Sequence, residues 1–307
     1  MMNINLKGRD FLSLLDYDKN ALIYLLELAE QLKADQKAGK DHRVLKGKTL
    51  AMIFSKPSLR TRVSFEVGIQ QLGGRAVVLK QDEINLGVRE TIADTARVLE
   101  RYVDGVMIRT FDHNDVVEFA EYSRVPVINA LTDLSHPCQV LADLLTIRER
   151  FGKLENLKIA YIGDGNNMAN SILAGCATMG MDVSIACPKG YEPNEQYIQY
   201  ARERCVIVEI TDSPQQAVKG ASVVYTDVWA SMGQESEAEA RREIFKGYQI
   251  NSELMSGASP NAIVLHCLPA HRGEEITEEV LEKHAKTIFD EAENRLHAQK
   301  AIMAAIM

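Results

Sequence analysis

No stretch of the 307-residue sequence approaches the ~20 apolar residues of a membrane-spanning helix, so no membrane partner is expected. Met1 to Asp18 shows neither the basic start and apolar stretch of a secretion signal nor an Arg- and Ser-rich transit pattern, and a cytoplasmic protein is expected. Cysteine is sparse and scattered. Cys138, Cys176, Cys187, Cys205 and Cys267 are odd in number and form no C-x-x-C pair, which argues against a disulfide framework and a structural zinc site. Basic residues are outnumbered, and the formal net charge of −8 argues against general affinity for nucleic acid. The Gly-x-x-x-x-Gly-Lys spacing of a nucleotide P-loop is missing. There is no internal repeat, no low-complexity tract and no Pro- or Ser-rich linker.

What is present is the balance of a globular protein, 46% hydrophobic and 25% charged, with length for two domains. Short Val-, Ile- or Ala-rich runs recur at Leu50–Phe54, Ala76–Leu79, Gly105–Ile108 and Val125–Ile128. They continue at Ile159–Ile162, Val183–Ala186, Val206–Val208, Val223–Tyr225 and Ala262–Leu265. Between them lie helical patterns such as Asn20 to Lys33, with Leu22, Leu25, Leu26, Ala29 and Leu32 at helical spacing. Strand and helix alternating in this way predict an α/β protein with parallel sheets flanked by helices. A boundary is expected between residues 136 and 155, giving domains at 1–147 and 148–290. Residues 291–307 are expected to form a terminal helix docked by Ala292, Leu296, Ile302, Met303 and Ile306. The acidic run Glu274 to Glu282 suits a solvated helix start.

The first strand ends in Ser55-Lys56-Pro57-Ser58-Leu59-Arg60-Thr61-Arg62, and a helical pattern follows. A hydroxyl-rich turn entering a helix offers free N–H groups and the positive end of the dipole to an anion, and Arg60 and Arg62 add charge. An ordinary cap with two surface arginines is the plainer alternative. His136-Pro137-Cys138-Gln139 sets His136 just before a helix and Gln139 in its first turn, where both could meet a ligand at the strand ends. A simple His-Pro cap is again the plainer reading.

In the second half, Gly163-Asp164-Gly165-Asn166-Asn167-Met168 follows a strand and opens a helix. Met168 stands at the third glycine of a dinucleotide fingerprint, and the next strand runs into Cys187-Pro188 without an acidic residue for a ribose, so NAD binding is not expected. Asn167 is placed to meet a small anion such as a carboxylate. Asp227 could pair with an ammonium group, supported by Ser231. His266, Cys267 and His271 hint at zinc, but no second cluster completes four ligands, and no metal is expected.

Together these segments resemble the aspartate/ornithine carbamoyltransferase superfamily, and within it the ornithine-using branch. Ser58-Leu59-Arg60-Thr61-Arg62 is similar to the carbamoyl phosphate loop, and His136-Pro137-Cys138-Gln139 to the family's His-Pro-Cys-Gln. Asp227 to Gly233 is similar to its Asp-x-x-x-Ser-Met-Gly loop. His266-Cys267-Leu268-Pro269 with Ala270-His271-Arg272-Gly273, and Glu293-Asn294-Arg295, complete the set in the family order. The likeness implies two parallel-sheet domains, the first for carbamoyl phosphate and the second for ornithine, with a C-terminal helix returning to the first.

The implied reaction moves the carbamoyl group to the δ-amine of L-ornithine, giving citrulline and phosphate, within arginine metabolism and without a cofactor. Arg109, His136, Asp227, Cys267 and Arg295 are the implied catalytic set. Phosphate would be held by Ser58, the Leu59 backbone, Arg60, Thr61 and Arg109. The carbonyl oxygen would lie among Thr61, Arg109 and His136, and the NH₂ near Gln139, Arg295 and the carbonyls of Cys267 and Leu268. Asn167, Asp227, Ser231 and Met232 would hold ornithine. A homotrimer or a multiple of trimers is implied, with a neighbour's loop around Asn85 reaching the phosphate, and Leu268-Pro269 would be cis. Leu59 departs from the family pattern, where threonine is usual.

Overall fold

The structure, a computed structural model, describes residues 4–204, 207–231 and 233–307. Cys205 and Val206, and the expected ornithine contact Met232, lie outside the described residues. The chain divides into two compact units: one runs to Leu145 and takes in Asn294–Met307, the other is Thr146–Glu293. Both dividing points fall inside helices, which is why no flexible linker marks them in the sequence.

The first unit contains α1 (Lys19–Lys37), β1 (Thr49–Phe54), α2 (Leu59–Gln71), β2 (Arg75–Lys80), α3 (Gln81–Ile84) and α4 (Ile92–Leu99). It continues through β3 (Gly105–Arg109), α5 (His113–Tyr122), β4 (Val127–Leu131) and the start of α6 (Pro137–Phe151). Its strands are all parallel, in the order β2-β1-β3-β4. Every residue of the central strands β1 and β3 is buried, as expected where helices cover both faces. Ala51, Ile53, Val106, Ile108, Val116, Phe119 and Val127 share one core, and side chains of this size contribute about 1.5–3 kcal/mol each when fully buried.

The second unit contains β5 (Lys158–Ile162), α7 (Asn167–Thr178), β6 (Asp182–Ala186), α8 (Glu195–Arg202), β7 (Val208–Thr211) and α9 (Pro214–Val218). After these come β8 (Val223–Thr226), α10 (Ala238–Phe245), α11 (Ser252–Met255), β9 (Ile263–His266) and the first half of α12 (Glu278–Ile306). Its sheet, also all parallel, runs β7-β6-β5-β8-β9. Ile162, Val224, Phe245, Val264 and Ile288 are in its core. No described helix is long and apolar enough to cross a membrane.

Three elements start more than one residue away from their expected positions. β4 starts at Val127 rather than Val125, because Ser123 Oγ bonds both the N–H and the C=O of Val125, and Pro126 has no N–H to give. β7 runs from Val208 to Thr211, and its polar residues face an open sheet edge where Glu209 takes up Ser184 and Gln216. The last helix begins at Glu278, far ahead of residue 291, with Glu278 and Glu279 in its first turn.

Each sheet has a point where its strand order reverses, and ligands of open α/β sheets collect at the strand carboxyl ends beside such points. In the first unit this point lies between β1 and β3, where the 55–58 turn and Arg109 emerge. In the second it lies between β5 and β8, where Asp164–Asn167 and Asp227 emerge.

Candidate active site

Ser58 has extended backbone (φ −165°, ψ 121°) and caps α2, its hydroxyl accepting the Thr61 N–H at 3.2 Å. Leu59, the first helical residue, turns its side chain outward and is 74% exposed. Thr61 is buried, and its hydroxyl oxygen accepts from Arg109 Nη1 (3.5 Å) and Arg295 Nη2 (3.3 Å). Arg62 instead faces solvent and pairs with Glu66, so the charge expected from it is not at this turn. One helical step carries it past the face that Arg60 and Thr61 occupy.

His136 precedes Pro137, the first residue of α6, and is 5% exposed. Its pKa is held well below the ordinary 6.5, first by burial and then by Arg295, Arg109 and Arg60. The imidazole is therefore neutral at pH 7. Gln139 accepts from Arg295 Nη1 at 2.6 Å and donates to Asp143 at 2.8 Å. With its amide oxygen towards the guanidinium, Gln299 accepts from Arg295 Nη2 (2.8 Å) and Nε (3.2 Å). Two guanidinium groups thus meet one hydroxyl at a helix N-terminus, an arrangement whose mutual repulsion an anion would relieve.

In the second unit Asn166 caps α7 through the Met168 N–H, which leaves Asn167 as the first helical residue at the strand end. Asn166 Nδ2 also donates to Asp227 Oδ2 at 3.3 Å. Asp227 Oδ1 accepts from the Val228 N–H (2.8 Å) and the Cys267 thiol (3.0 Å). The Ser231 N–H is held by Gln234 Oε1 at 3.0 Å.

Leu268-Pro269 is cis, and Leu268 has left-handed backbone (φ 56°). His266 supports this turn: Nδ1 accepts the Leu268 N–H at 2.9 Å, while Nε2–H donates to Glu275 at 3.1 Å. Both ring nitrogens are engaged, so the Asp227–His266–Cys267 group offers a metal two ligands rather than three. Cys138 and Cys187, whose thiols burial pushes up to about 12, are inert core residues.

The structure thus brings Ser58, Arg109, Thr61, His136, Gln139 and Arg295 together at one switch point, with Arg60 near enough to act on His136. Asp227 and Cys267 gather at the other, with Asn167 beside Asn166. Asn85 stands apart, exposed at the left-handed end of α3 (φ 48°). Sequence reasoning missed Lys56, which is 4% exposed, paired with Asp133 and set 4.0 Å from the Phe111 ring centroid. It also missed Glu275, Glu291 and Arg241. The one available signal was the pattern itself: Glu291 lies one helical turn before Arg295.

The two sites match two halves of one known family. Residues 9–149 match the carbamoyl-P binding domain of aspartate/ornithine carbamoyltransferases, and residues 155–306 match their Asp/Orn binding domain. An ornithine carbamoyltransferase of Thermococcus kodakarensis is 55% identical over all of this chain and 98% of its own length. One from Symbiobacterium thermophilum is 57% identical over 98% of this chain and 99% of its own. The solved ornithine carbamoyltransferase of Pyrococcus furiosus superposes with a TM-score of 0.96 at 52% identity, covering 99% of this chain and 98% of that one. With likeness of this extent over both units, the chain belongs to the aspartate/ornithine carbamoyltransferase family.

Proposed function

We propose that this protein transfers the carbamoyl group of carbamoyl phosphate to the δ-amine of L-ornithine, forming L-citrulline and phosphate. The observation that carries the phosphate half is the meeting of Arg109 and Arg295 on Thr61 Oγ1 at the N-terminus of α2. Ser58, the N–H of Leu59, Arg60, Thr61 and Arg109 hold the phosphate. Thr61, Arg109 and neutral His136 donate to the carbonyl oxygen as it becomes an oxyanion, and fixed donors of this kind contribute several kcal/mol each. Gln139 and Arg295 serve the carbamoyl NH₂.

On the acceptor side, Asp227 takes the α-ammonium, Asn167 the α-carboxylate, and Ser231 lines the same end. The Asp227 to Gly233 segment, similar to the Asp-x-x-x-Ser-Met-Gly loop of the ornithine-using branch, supports ornithine within this family. The neutral δ-amine attacks the carbonyl carbon, the bond to the phosphate oxygen breaks, and the departing phosphate takes the amine proton. The test is incubation with carbamoyl phosphate and, in turn, ornithine, N-acetylornithine, putrescine and aspartate. Citrulline from ornithine alone is expected, and carbamoylation of aspartate instead overturns the reading.

The protein is further read as cytoplasmic and as a trimer or multiple of trimers, with Asn85 of a neighbouring copy reaching the phosphate. The exposed apolar side chains of Leu59, Val63, Val77 and Val88 in the first unit support an assembly. Light scattering checks it: a monomer at micromolar concentration overturns the assembly.

A further inference from the structure

Arg241, on α10, is 4% exposed and joins two loops. Nη2 forms a short ion pair with Asp164, in the loop after β5, and Nε donates to the Trp229 carbonyl at 2.5 Å, in the loop after β8. The guanidinium carbon lies 5.0 Å from the Tyr191 ring centroid and 5.2 Å from that of Phe245. The Tyr191 carbonyl in turn accepts the Gly165 N–H at 2.9 Å, so a third tie returns to the β5 loop.

These two loops carry Asn167 and Asp227. One direct link between them is the long Asn166–Asp227 bond of 3.3 Å. Arg241 supplies the shorter, charge-assisted tie, and its rigid fork serves both loops at once, which a lysine ammonium cannot do in the same geometry.

We propose that Arg241 is a positioning residue that fixes the spacing between Asn167 and the Asp227–Ser231 segment. It thereby selects an acceptor with carboxylate and ammonium groups on one carbon. The proposal rests on the function read above. An α-amino acid presents these two charges at a fixed separation, and a loop displaced by about 1 Å can forfeit much of the benefit of orientation.

Burial pushes the Asp164 carboxyl up to about 6, with Arg241 opposing and Asp227 adding to the rise. The groups facing this pair are Asp227 after β8, Tyr161 of β5, Cys187 after β6, and Glu237, 3.8 Å from Arg241. The ion pair therefore loses its negative partner as pH falls through about 6.

The experiment compares the wild type with Arg241→Lys, Asp164→Asn and the double variant Arg241→Met/Asp164→Asn. The double variant removes both charges, so that neither is left buried alone. Ornithine kinetics at saturating carbamoyl phosphate are set beside calorimetric carbamoyl phosphate binding without ornithine. Arg241→Lys and the double variant should raise the ornithine KM by about tenfold or more, with kcat within about threefold. Carbamoyl phosphate affinity should stay unchanged. Expressed on the neutral δ-amine, whose share falls with pH for every variant alike, the wild-type KM should climb as pH drops below 6, and the Asp164→Asn KM should be high and flat. An unchanged ornithine KM in Arg241→Lys and the double variant overturns the proposal, as do equal losses of affinity for both substrates. A wild type that cannot use ornithine overturns the function itself and this inference with it, whereas normal wild-type turnover beside unaffected variants overturns the inference alone.

Discussion

The Cys267 thiol donates to the Asp227 carboxylate across 3.0 Å. A thiol is a weak donor, and an incoming ammonium group can displace it with a charge-assisted bond roughly twice as strong as a neutral one. Asp227→Asn should therefore raise the ornithine KM by about tenfold to a hundredfold, the loss expected for a hydrogen bond to a charged group. Cys267→Ala keeps its backbone carbonyl and should change KM by less than about tenfold. Steady-state kinetics decide the matter, and equal effects from the two substitutions would refute a direct role for Asp227.

Leu59 is the first residue of α2, and Ser58 before it is extended, so proline fits position 59 without strain. Leu59→Pro should fold normally yet bind carbamoyl phosphate more weakly by about tenfold or more, because it deletes one N–H donor to a charged group. Leu59→Thr keeps the amide, and its side chain starts from an outward-facing position. It should shift affinity by less than about tenfold. Calorimetric titration of both variants that shows equal, mild effects would place the amide away from the phosphate.

Lys300 is fully buried, with Nζ bonded to Gln36 (3.1 Å), Gln71 (2.9 Å) and His42 Nε2 (2.8 Å). Burial lowers its pKa from 10.5 to about 8. Between pH 8 and 10.5 the unfolded chain then binds more protons at this site than the folded one, so stability from this residue rises with pH. It is fully present above 10.5 and lost as pH falls through 8. Denaturant melts of wild type and Lys300→Met from pH 7 to 10 should show the wild type gaining on the variant. A constant gap across that range would show that Lys300 does not titrate there.

Gly165 marks where the sequence was legible for one reason and the fold uses it for another. Its place in Gly-x-Gly suggests close approach by a cofactor, but the approaching backbone is the chain's own. A Cβ there would stand 2.3 Å from the Tyr191 carbonyl oxygen and 2.4 Å from the Pro193 nitrogen. Gly165→Ala should destabilise the second unit by roughly 1–3 kcal/mol or more. A melting temperature equal to wild type would show that the 191–193 segment yields freely.

The helix-capping turn at 58–61, the 136–139 helix start and the 266–268 turn were readable because each is a short run placed by one strand end. Arg241, Glu275 and Lys300 were not. Each is a charged residue that sequence alone assigns to the surface, buried here by partners elsewhere in the chain: Asp164, His266 and Gln36. Such burial is set by tertiary pairing, which leaves no periodic trace.

The first unit is completed by Asn294–Met307, where Arg295 meets Thr61, Asn294 accepts from Lys33, and the Ile306 carbonyl accepts the Gly8 N–H. The unit is therefore not a contiguous stretch of the sequence. During synthesis the four-stranded sheet can leave the ribosome long before Arg295 does, so on the function proposed above affinity for carbamoyl phosphate comes only after the sheet that frames the site.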